Sequence, residues 1–155
     1  MLNVVLLEPE IPHNTGAIGR TCALTNTKLH LIEPLGFSLE EKHLRRCGLD
    51  YWPLVNLEVH RDFSSFMEKY GQGRFFFATT KAKRLYDEPR YQDGDFIVFG
   101  KETKGLPEEI LSAYEDNLIK IPMIPEIQRS LNLSNSCSII LYEALRQLTF
   151  PFLKR

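Results

Sequence analysis

Short apolar runs alternate with amphipathic stretches along this chain, and this alternation constrains the fold more than any other sequence feature. The apolar runs lie at residues 3–7, 29–32, 75–78, 96–99 and 118–121, with a half-buried alternation at 55–59. Strands that are apolar on both faces are typical of a parallel sheet with helices on both sides. The pattern therefore predicts an α/β fold whose ligands bind beyond the carboxyl ends of the strands.

Helices are predicted between these strands at residues 14–25, 39–47 and 63–70, with a short one from Pro107. The final helix has one apolar stripe of helical period, formed by Cys137, Ile140, Leu141, Ala144, Leu145 and Leu148. Ser38 and Glu41 form a capping box before the second helix. Asn14 or Thr15 is expected to cap the first helix, and Ser134, Asn135 or Ser136 the last. The irregular connection 81–92 is expected to be the most mobile segment.

Length and composition indicate one globular domain, spanning residues 1–155. The chain has 43% hydrophobic and 25% charged residues, and at this length it can bury a core without disulfides or metal. No apolar run is long enough to cross a membrane, and the first residues lack the features of a signal peptide. We therefore expect a soluble, cytoplasmic protein.

Cysteine and histidine spacing indicates neither a disulfide framework nor a metal site. Cys22, Cys47 and Cys137 are odd in number and widely separated, so reduced and mostly buried thiols are expected. No Cys-x-x-Cys or His-Glu-x-x-His spacing occurs. We expect no bound metal.

A net charge of −1 excludes the overall basic field of a non-specific nucleic-acid coat, but it leaves room for a local basic face. Two basic clusters are candidates for such a face: Lys42, His43, Arg45 and Arg46, and then Lys81, Lys83 and Arg84. Either cluster alone is more often a solvated surface than a binding site.

Three segments that follow predicted strands are rich in polar or flexible residues, at 8–19, 100–105 and 122–135. The second has the glycine spacing of a phosphate loop, but Leu106 and Pro107 replace its lysine and hydroxyl residues. No dinucleotide fingerprint is present either, so NAD binding and ATP hydrolysis are disfavoured. Gly100 offers close backbone approach to a ligand and Glu102 a carboxylate, although a plain turn fits this loop equally well.

The first and third of these segments carry further candidates. Residues 129–137 hold a cluster of Ser and Asn, which suits a base edge, a ribose or an amino acid, and also suits a helix cap. Arg20 lies four residues after Gly16, so a small residue leaves room beside its guanidinium. An arginine in a helix is more often solvated or paired with a carboxylate. His13 could be a general base, although a histidine in a loop is more often only polar surface.

Taken in order, these segments resemble the three motifs of the SPOUT superfamily of RNA methyltransferases. The residues that carry the resemblance are Asn14-Thr15-Gly16 with Arg20, the run 99–107, and the runs 121–123 and 129–135. The match is closest to the small single-domain tRNA (cytidine/uridine-2′-O)-methyltransferases that act on the wobble nucleotide, and it spans essentially the whole chain. Lys101, Lys104 and Leu131 stand where the family commonly has proline, arginine and methionine.

The resemblance implies a C-terminal trefoil knot, a homodimer, a tRNA substrate and S-adenosylmethionine as cofactor. Residue by residue, it implies cofactor contacts from Ala78, Thr79, Gly100, Glu102, Ile121, Met123, Ser130 and Leu131. Arg20 would stabilise the developing alkoxide or hold a neighbouring phosphate, and Asn132 would orient the ribose or shape the loop. Tyr142 is either a catalytic residue or an aromatic of the core or dimer interface.

Two other functions compete with this interpretation. One is a non-catalytic RNA-binding protein that uses the same basic face, and the other is a SPOUT enzyme that methylates a base or another RNA position.

Overall fold

Six parallel strands form one sheet at the centre of the structure, a computed structural model that describes residues 1–40 and 51–154. In chain order the strands are β1 (Asn3–Leu7), β2 (Lys28–Ile32), β3 (Leu57–His60), β4 (Phe75–Ala78), β5 (Phe96–Phe99) and β6 (Leu118–Ile119). Their order across the sheet is β3-β2-β1-β5-β4-β6, and every pairing is parallel. The parallel sheet predicted from the apolar runs is confirmed.

Helices cover both faces of this sheet, as predicted. They are α1 (Pro12–Leu24), α2 (Phe63–Tyr70), α3 (Glu108–Ala113) and α4 (Leu133–Gln147). Side chains of β1 alternate between two cores, because successive residues of a strand point to opposite faces. Val4 and Leu6 join the core beneath α1 and α4, whereas Val5 and Leu7 join the core beneath α2 and α3. The predicted helix 39–47 and its capping box fall largely on residues 41–50, outside the described residues.

The strand order reverses direction between the neighbouring strands β1 and β5. From β1 the chain continues outward through β2 to β3, whereas β5, β4 and β6 lie on the other side. The loops that follow β1 and β5 therefore meet at the carboxyl edge of the sheet, where ligands bind in folds of this class. Strand β6 is shorter than the predicted 118–121, although Lys120 still forms a parallel bridge with Leu85.

A polar cluster lies between β2, β3 and α2. His30 is fully buried and has its Nδ1 atom 3.0 Å from His60 Nε2 and its Nε2 atom 2.9 Å from Asn3 Oδ1. Glu58 binds the Nζ atoms of Lys28 and Lys69 at 2.8 and 2.6 Å. Burial is the main cause that lowers the pKa of His30 to about 3, and nearby positive charges lower it further. Burial also lowers the pKa of His60, so both histidine rings are neutral in the native state.

This cluster also contains the one group of three potential metal ligands found within residues 1–40 and 51–154. Ligand atoms of His30, Glu58 and His60 lie within 4.8 Å of one another. The carboxylate already binds two ammonium groups, which oppose a further cation. The absence of a bound metal stays a prediction.

Cys22 and Cys137 are fully buried free thiols, as expected, and burial raises the pKa of Cys22 to about 12. Cys47 lies outside the described residues. No helix among the described parts of the chain is long and apolar enough to cross a membrane.

Candidate active site

A cavity of about 460 Å³ opens at the carboxyl ends of β4, β5 and β6. Nine of the eleven residues predicted for the site line it: Ala78, Thr79, Gly100, Glu102, Ile121, Met123, Ser130, Leu131 and Asn132. Its wall also includes apolar side chains from three elements, namely Leu111, Ile119 and Ile140. This combination of an apolar wall and polar loops is typical of a small-molecule site.

The loop that follows β5 requires a glycine at position 100. A Cβ atom added to Gly100 would lie 2.1 Å from the carbonyl carbon of Gly105 and 2.2 Å from the amide nitrogen of Leu106. Gly105 itself has a φ of +67°, in the left-handed region that glycine tolerates best. Lys101 and Gly105 form an isolated antiparallel bridge across this turn. The two glycines thus let loop 100–105 fold back on itself beside the cavity.

Glu102 connects this loop to the one after β1. Its two carboxylate oxygens accept hydrogen bonds from the backbone amides of Glu10 at 2.9 Å and Ile11 at 2.8 Å. In return, Glu10 Oε1 accepts from the amide of Thr103 at 3.0 Å and from its hydroxyl at 2.7 Å. The hydrogen bonds from Thr103 lower the pKa of Glu10. We call this reciprocal pair, Glu10 and Glu102, the carboxylate clasp.

The clasp explains why the predicted cap of the first helix is wrong. Helix α1 begins at Pro12, earlier than expected, and its N-cap residue Ile11 offers no side-chain acceptor. The Glu102 carboxylate, from a different loop, lies against amides at this helix start, which favours negative charge. Asn14 therefore lies inside the first turn, and the buried Thr15 hydroxyl has no hydrogen-bond partner among the described residues.

Asn132 joins the third loop to the other two. Its Oδ1 atom accepts from the amides of Ser134 at 2.8 Å and Asn135 at 3.3 Å, so Asn132 is the N-cap of α4. Ser134, Asn135 and Ser136 were expected to supply this cap, but they lie in the first turn because the helix begins at Leu133. Asn132 Nδ2 donates to Asn14 Oδ1 at 3.0 Å.

Asn14 lies at the centre of these contacts, although the only role proposed for its side chain from the sequence was to cap the first helix. It is buried, and its Nδ2 donates to Glu102 Oε2 at 3.2 Å while its Oδ1 accepts from Asn132. A single amide side chain thus links all three loops. Asn14 belongs to the first of the three motifs, which was the sequence signal for a functional role. Its partners Glu102 and Asn132 can be identified only from the fold.

Arg20 and Tyr142, the other two predicted catalytic residues, do not line the cavity. Arg20 is exposed on α1, with Cζ 5.9 Å from the centroid of the Tyr51 ring. Tyr142 is 45% exposed on α4, so it is not a core aromatic. His13 is also exposed, at the start of α1.

The second basic cluster borders the cavity, whereas the first, at residues 42–46, lies outside the described residues. Lys81 lines the cavity, and Lys83 and Arg84 follow it along the irregular connection. Lys101, Lys104 and Lys120 also line the cavity. Positive charge at the opening suits a polyanionic partner such as RNA.

Comparison with known proteins decides the family. A family model, the SpoU rRNA Methylase family, matches residues 1–142. The chain belongs to the SpoU methylase family. Its sequence is 50% identical over 152 residues to the tRNA (cytidine(34)-2′-O)-methyltransferase of Escherichia coli K12, covering 97% of this chain and 96% of that protein.

Solved structures agree with this SpoU family assignment. A crystal structure from Bacillus anthracis matches with a TM-score of 0.95 at 45% identity, covering 100% of this chain and 99% of that one. A structure that concerns 2′-OH methylation of C/U34 on tRNA matches with a TM-score of 0.88 at 46% identity, covering 96% and 97%. At 20% identity, the SpoU methyltransferase AviRb of Streptomyces viridochromogenes, solved with AdoMet, shares the fold (TM-score 0.82; coverage 96% and 61%).

Proposed function

We propose that this SpoU family protein transfers a methyl group from S-adenosylmethionine to the ribose 2′-hydroxyl of the wobble nucleotide of tRNA, a cytidine or modified uridine. One observation carries the proposal. The cavity gathers all eight predicted cofactor residues and Asn132 in one place. A relative named for this reaction is 50% identical along almost its whole length.

The cavity fits the proposed cofactor. Its volume of about 460 Å³ lies within the range of small-molecule sites, roughly 300–1,000 Å³. Backbone groups of the loops after β4, β5 and β6 can hydrogen-bond an adenine edge, and the apolar wall can pack against its ring. When bound, S-adenosylmethionine supplies a sulfonium methyl group to an attacking oxygen.

Arg20 is proposed to act on the acceptor nucleotide. An arginine guanidinium stays protonated in proteins, so it is a poor general base. It is suited to stabilising the negative charge that develops on the 2′-oxygen, or to holding the neighbouring phosphate. Its exposed place outside the cofactor cavity supports contact with RNA. Asn132 is proposed to orient the ribose, since it lines the cavity next to the motif that carries Arg20.

The protein is further proposed to be a cytoplasmic homodimer of single-domain subunits, with a knotted C-terminal segment and no bound metal. Exposed apolar side chains of α4 and of the segment that precedes it support the dimer: Met123, Ile124, Ile127, Leu131, Ile139 and Tyr142. Backbone hydrogen bonds of Arg84 and Tyr86 to Lys120 support close passage of these two segments past each other, as a knot requires. Tyr142 is proposed as an interface residue.

Methylation of bulk tRNA with labelled S-adenosylmethionine, followed by nucleoside analysis, tests cofactor, substrate and methylated atom together. We expect 2′-O-methylcytidine or a 2′-O-methylated uridine, and mapping of the label to position 34. An Arg20→Lys variant serves as the control for background incorporation.

Each competing function gives a different result in the same experiment. A methyl group on a base, or at another position, would identify a different RNA methyltransferase. No incorporation together with no calorimetric binding of S-adenosylmethionine would favour a non-catalytic RNA-binding protein.

A further inference from the structure

One face of α1 is built around two glycines, and residues 51–55 pack against it. Gly16 and Gly19 are both buried and lie three positions apart, on the same side of the helix. A Cβ atom added to Gly19 would lie 2.7 Å from Trp52 Cζ3 and 3.5 Å from Val55 Cγ2. The missing side chain therefore lets the 3-10 turn Trp52–Leu54 contact the helix backbone directly.

Tyr51 precedes this turn and is tied to the same helix. Its hydroxyl donates a hydrogen bond to the carbonyl oxygen of Gly16. In an α-helix that carbonyl also accepts the amide of the residue four positions on, which here is Arg20. The half-buried Tyr51 ring packs against the core beneath α1 and α4. Tyr51 is therefore held at its hydroxyl and along its ring, beside the backbone that carries Arg20.

The Tyr51 ring faces the Arg20 guanidinium. The distance from Arg20 Cζ to the ring centroid is 5.9 Å, within the range of a cation–π contact. Within residues 1–40 and 51–154, no carboxylate forms an ion pair with Arg20 and no side chain accepts a hydrogen bond from it. An aromatic ring orients a cation without neutralising it, whereas a carboxylate partner would weaken its attraction for an alkoxide or phosphate.

We propose that Tyr51 is a positioning residue for Arg20: its ring holds the guanidinium toward the acceptor nucleotide while leaving the positive charge available. The proposal rests on the proposed function, because Arg20 is taken to act on the methyl acceptor. It also gives Gly19 a role, since its missing side chain admits Trp52 and Val55 to α1 beside the residue before Arg20.

Kinetics of Tyr51 variants test the role. Tyr51→Leu removes both ring and hydroxyl, and we expect its kcat for tRNA methylation to fall roughly tenfold. Tyr51→Phe keeps the ring, so its kcat should stay within about threefold of the wild-type value. The dissociation constant for S-adenosylmethionine, measured by calorimetry, should change less than about twofold in both variants, because Tyr51 does not line the cavity.

A matched control separates positioning from packing. Tyr114 is also half-buried, and its ring stacks on Phe77 at 4.6 Å, far from α1 in the core beneath α2 and α3. Tyr114→Leu should lower thermal stability as much as Tyr51→Leu does, with kcat unchanged. A general packing defect would instead lower kcat in both variants.

A spectroscopic measurement tests the contact independently of activity. The Arg20 Nε–Hε NMR resonance, assigned by its loss in Arg20→Lys, should shift in Tyr51→Leu because the ring current is removed. It should stay in place in Tyr51→Phe and Tyr114→Leu. If the wild-type protein methylates no tRNA, the proposed function fails, and this resonance still decides whether Tyr51 holds Arg20.

Three results would overturn the positioning role. They are an unshifted Arg20 resonance in Tyr51→Leu, a kcat in that variant within twofold of wild type, or equal loss of kcat in Tyr51→Phe and Tyr51→Leu.

Discussion

Arg20, the residue proposed to act on the methyl acceptor, lies outside the cavity. It is exposed on α1, whereas the residues that form the cofactor cavity come from the loops after β4, β5 and β6. Its charge is therefore presented toward solvent. Under the proposed function, this placement would separate cofactor binding from the chemistry on the acceptor, and single substitutions can distinguish the two.

Arg20→Lys is expected to abolish most methyl transfer while leaving cofactor affinity intact. Lysine keeps the charge but loses the planar fork that can contact two oxygens at once. Turnover with tRNA and calorimetric titration with S-adenosylmethionine measure the two effects separately. Near-normal turnover in this variant would exclude the proposed role of Arg20.

At the residue scale, most residues that the sequence predicts for the site line one cavity, but the bonds between them could not be predicted. Glu102 and Asn132 were placed in the site by their motifs, and both line the cavity. That Glu102 holds the amides of Glu10 and Ile11 could not be predicted, since those partners lie 92 and 91 positions away. The N-cap of α4 lies two residues earlier than expected, because the side-chain oxygen of Asn132 accepts a hydrogen bond from an amide in the first turn.

At the scale of elements, the carboxylate clasp connects the loop after β1 to the loop after β5. The strand order reverses between these two strands. Each loop offers backbone amides to the other loop's carboxylate, and hydrogen bonds to a charged acceptor are stronger than neutral ones. The cavity wall thus depends on the loop after β1 even though that loop contributes few of its lining residues.

Glu102→Gln tests the clasp. A glutamine amide offers one acceptor and one donor, so one of the two amides at residues 10 and 11 would face an NH₂ group. We expect the dissociation constant for S-adenosylmethionine to rise about tenfold or more, measured by calorimetry. Glu109→Gln, an exposed glutamate on α3, is the matched control. Unchanged affinity in Glu102→Gln would show that the clasp does not support the cavity.

The helices and strands were largely predictable, because the spacing of apolar residues along the chain shows which side of each element is buried. All six strands and the helices α1, α2, α3 and α4 correspond to predicted segments. The start of α1 was predicted at the wrong residue because the Glu102 carboxylate, from another loop, accepts a hydrogen bond from an amide at the helix start. A prediction from neighbouring capping residues cannot detect such a distant partner. The end of β6 was misplaced because the partner strand β4 ends at Ala78, which leaves Lys120 with a single bridge to Leu85.

At the scale of the whole molecule, the His30 cluster makes stability sensitive to acid. His30 Nε2 donates to Asn3 Oδ1, so its Nδ1 accepts from His60 Nε2. A proton added to His30 would place two donors against each other. The lowered pKa of both histidines means that the unfolded chain takes up protons before the native one does.

The contribution of these histidines to stability should therefore be constant above about pH 6.5 and should fall as the pH drops from there toward 3, by up to about 1.4 kcal/mol per pH unit for each proton bound only by the unfolded chain. Urea unfolding between pH 7.5 and pH 5 measures this before most carboxylates titrate. His30→Gln should flatten the dependence, whereas the exposed His13→Gln should leave it unchanged. An equally steep profile in His30→Gln would contradict this source of acid sensitivity.

The proposed dimer is also a property of the whole molecule. Ile139 and Tyr142 lie three residues apart on α4 and are 37% and 45% exposed, so they are neighbours on one side of the helix that a partner could cover. Ile139→Glu should shift sedimentation velocity from dimer to monomer while the circular dichroism spectrum stays the same. Leu24→Glu, at an exposed leucine at the end of α1, should leave the assembly unchanged. A wild-type monomer at micromolar concentration would refute the dimer.

The hydrogen bond between Asn14 and Asn132 has a consequence for biosynthesis. The two residues are 118 positions apart, and Glu102 reaches Asn14 across 88. A ribosome therefore releases almost the whole chain before the three loops can meet. A chain that ends before residue 132 lacks one partner of this hydrogen bond, so the three loops cannot be joined in it.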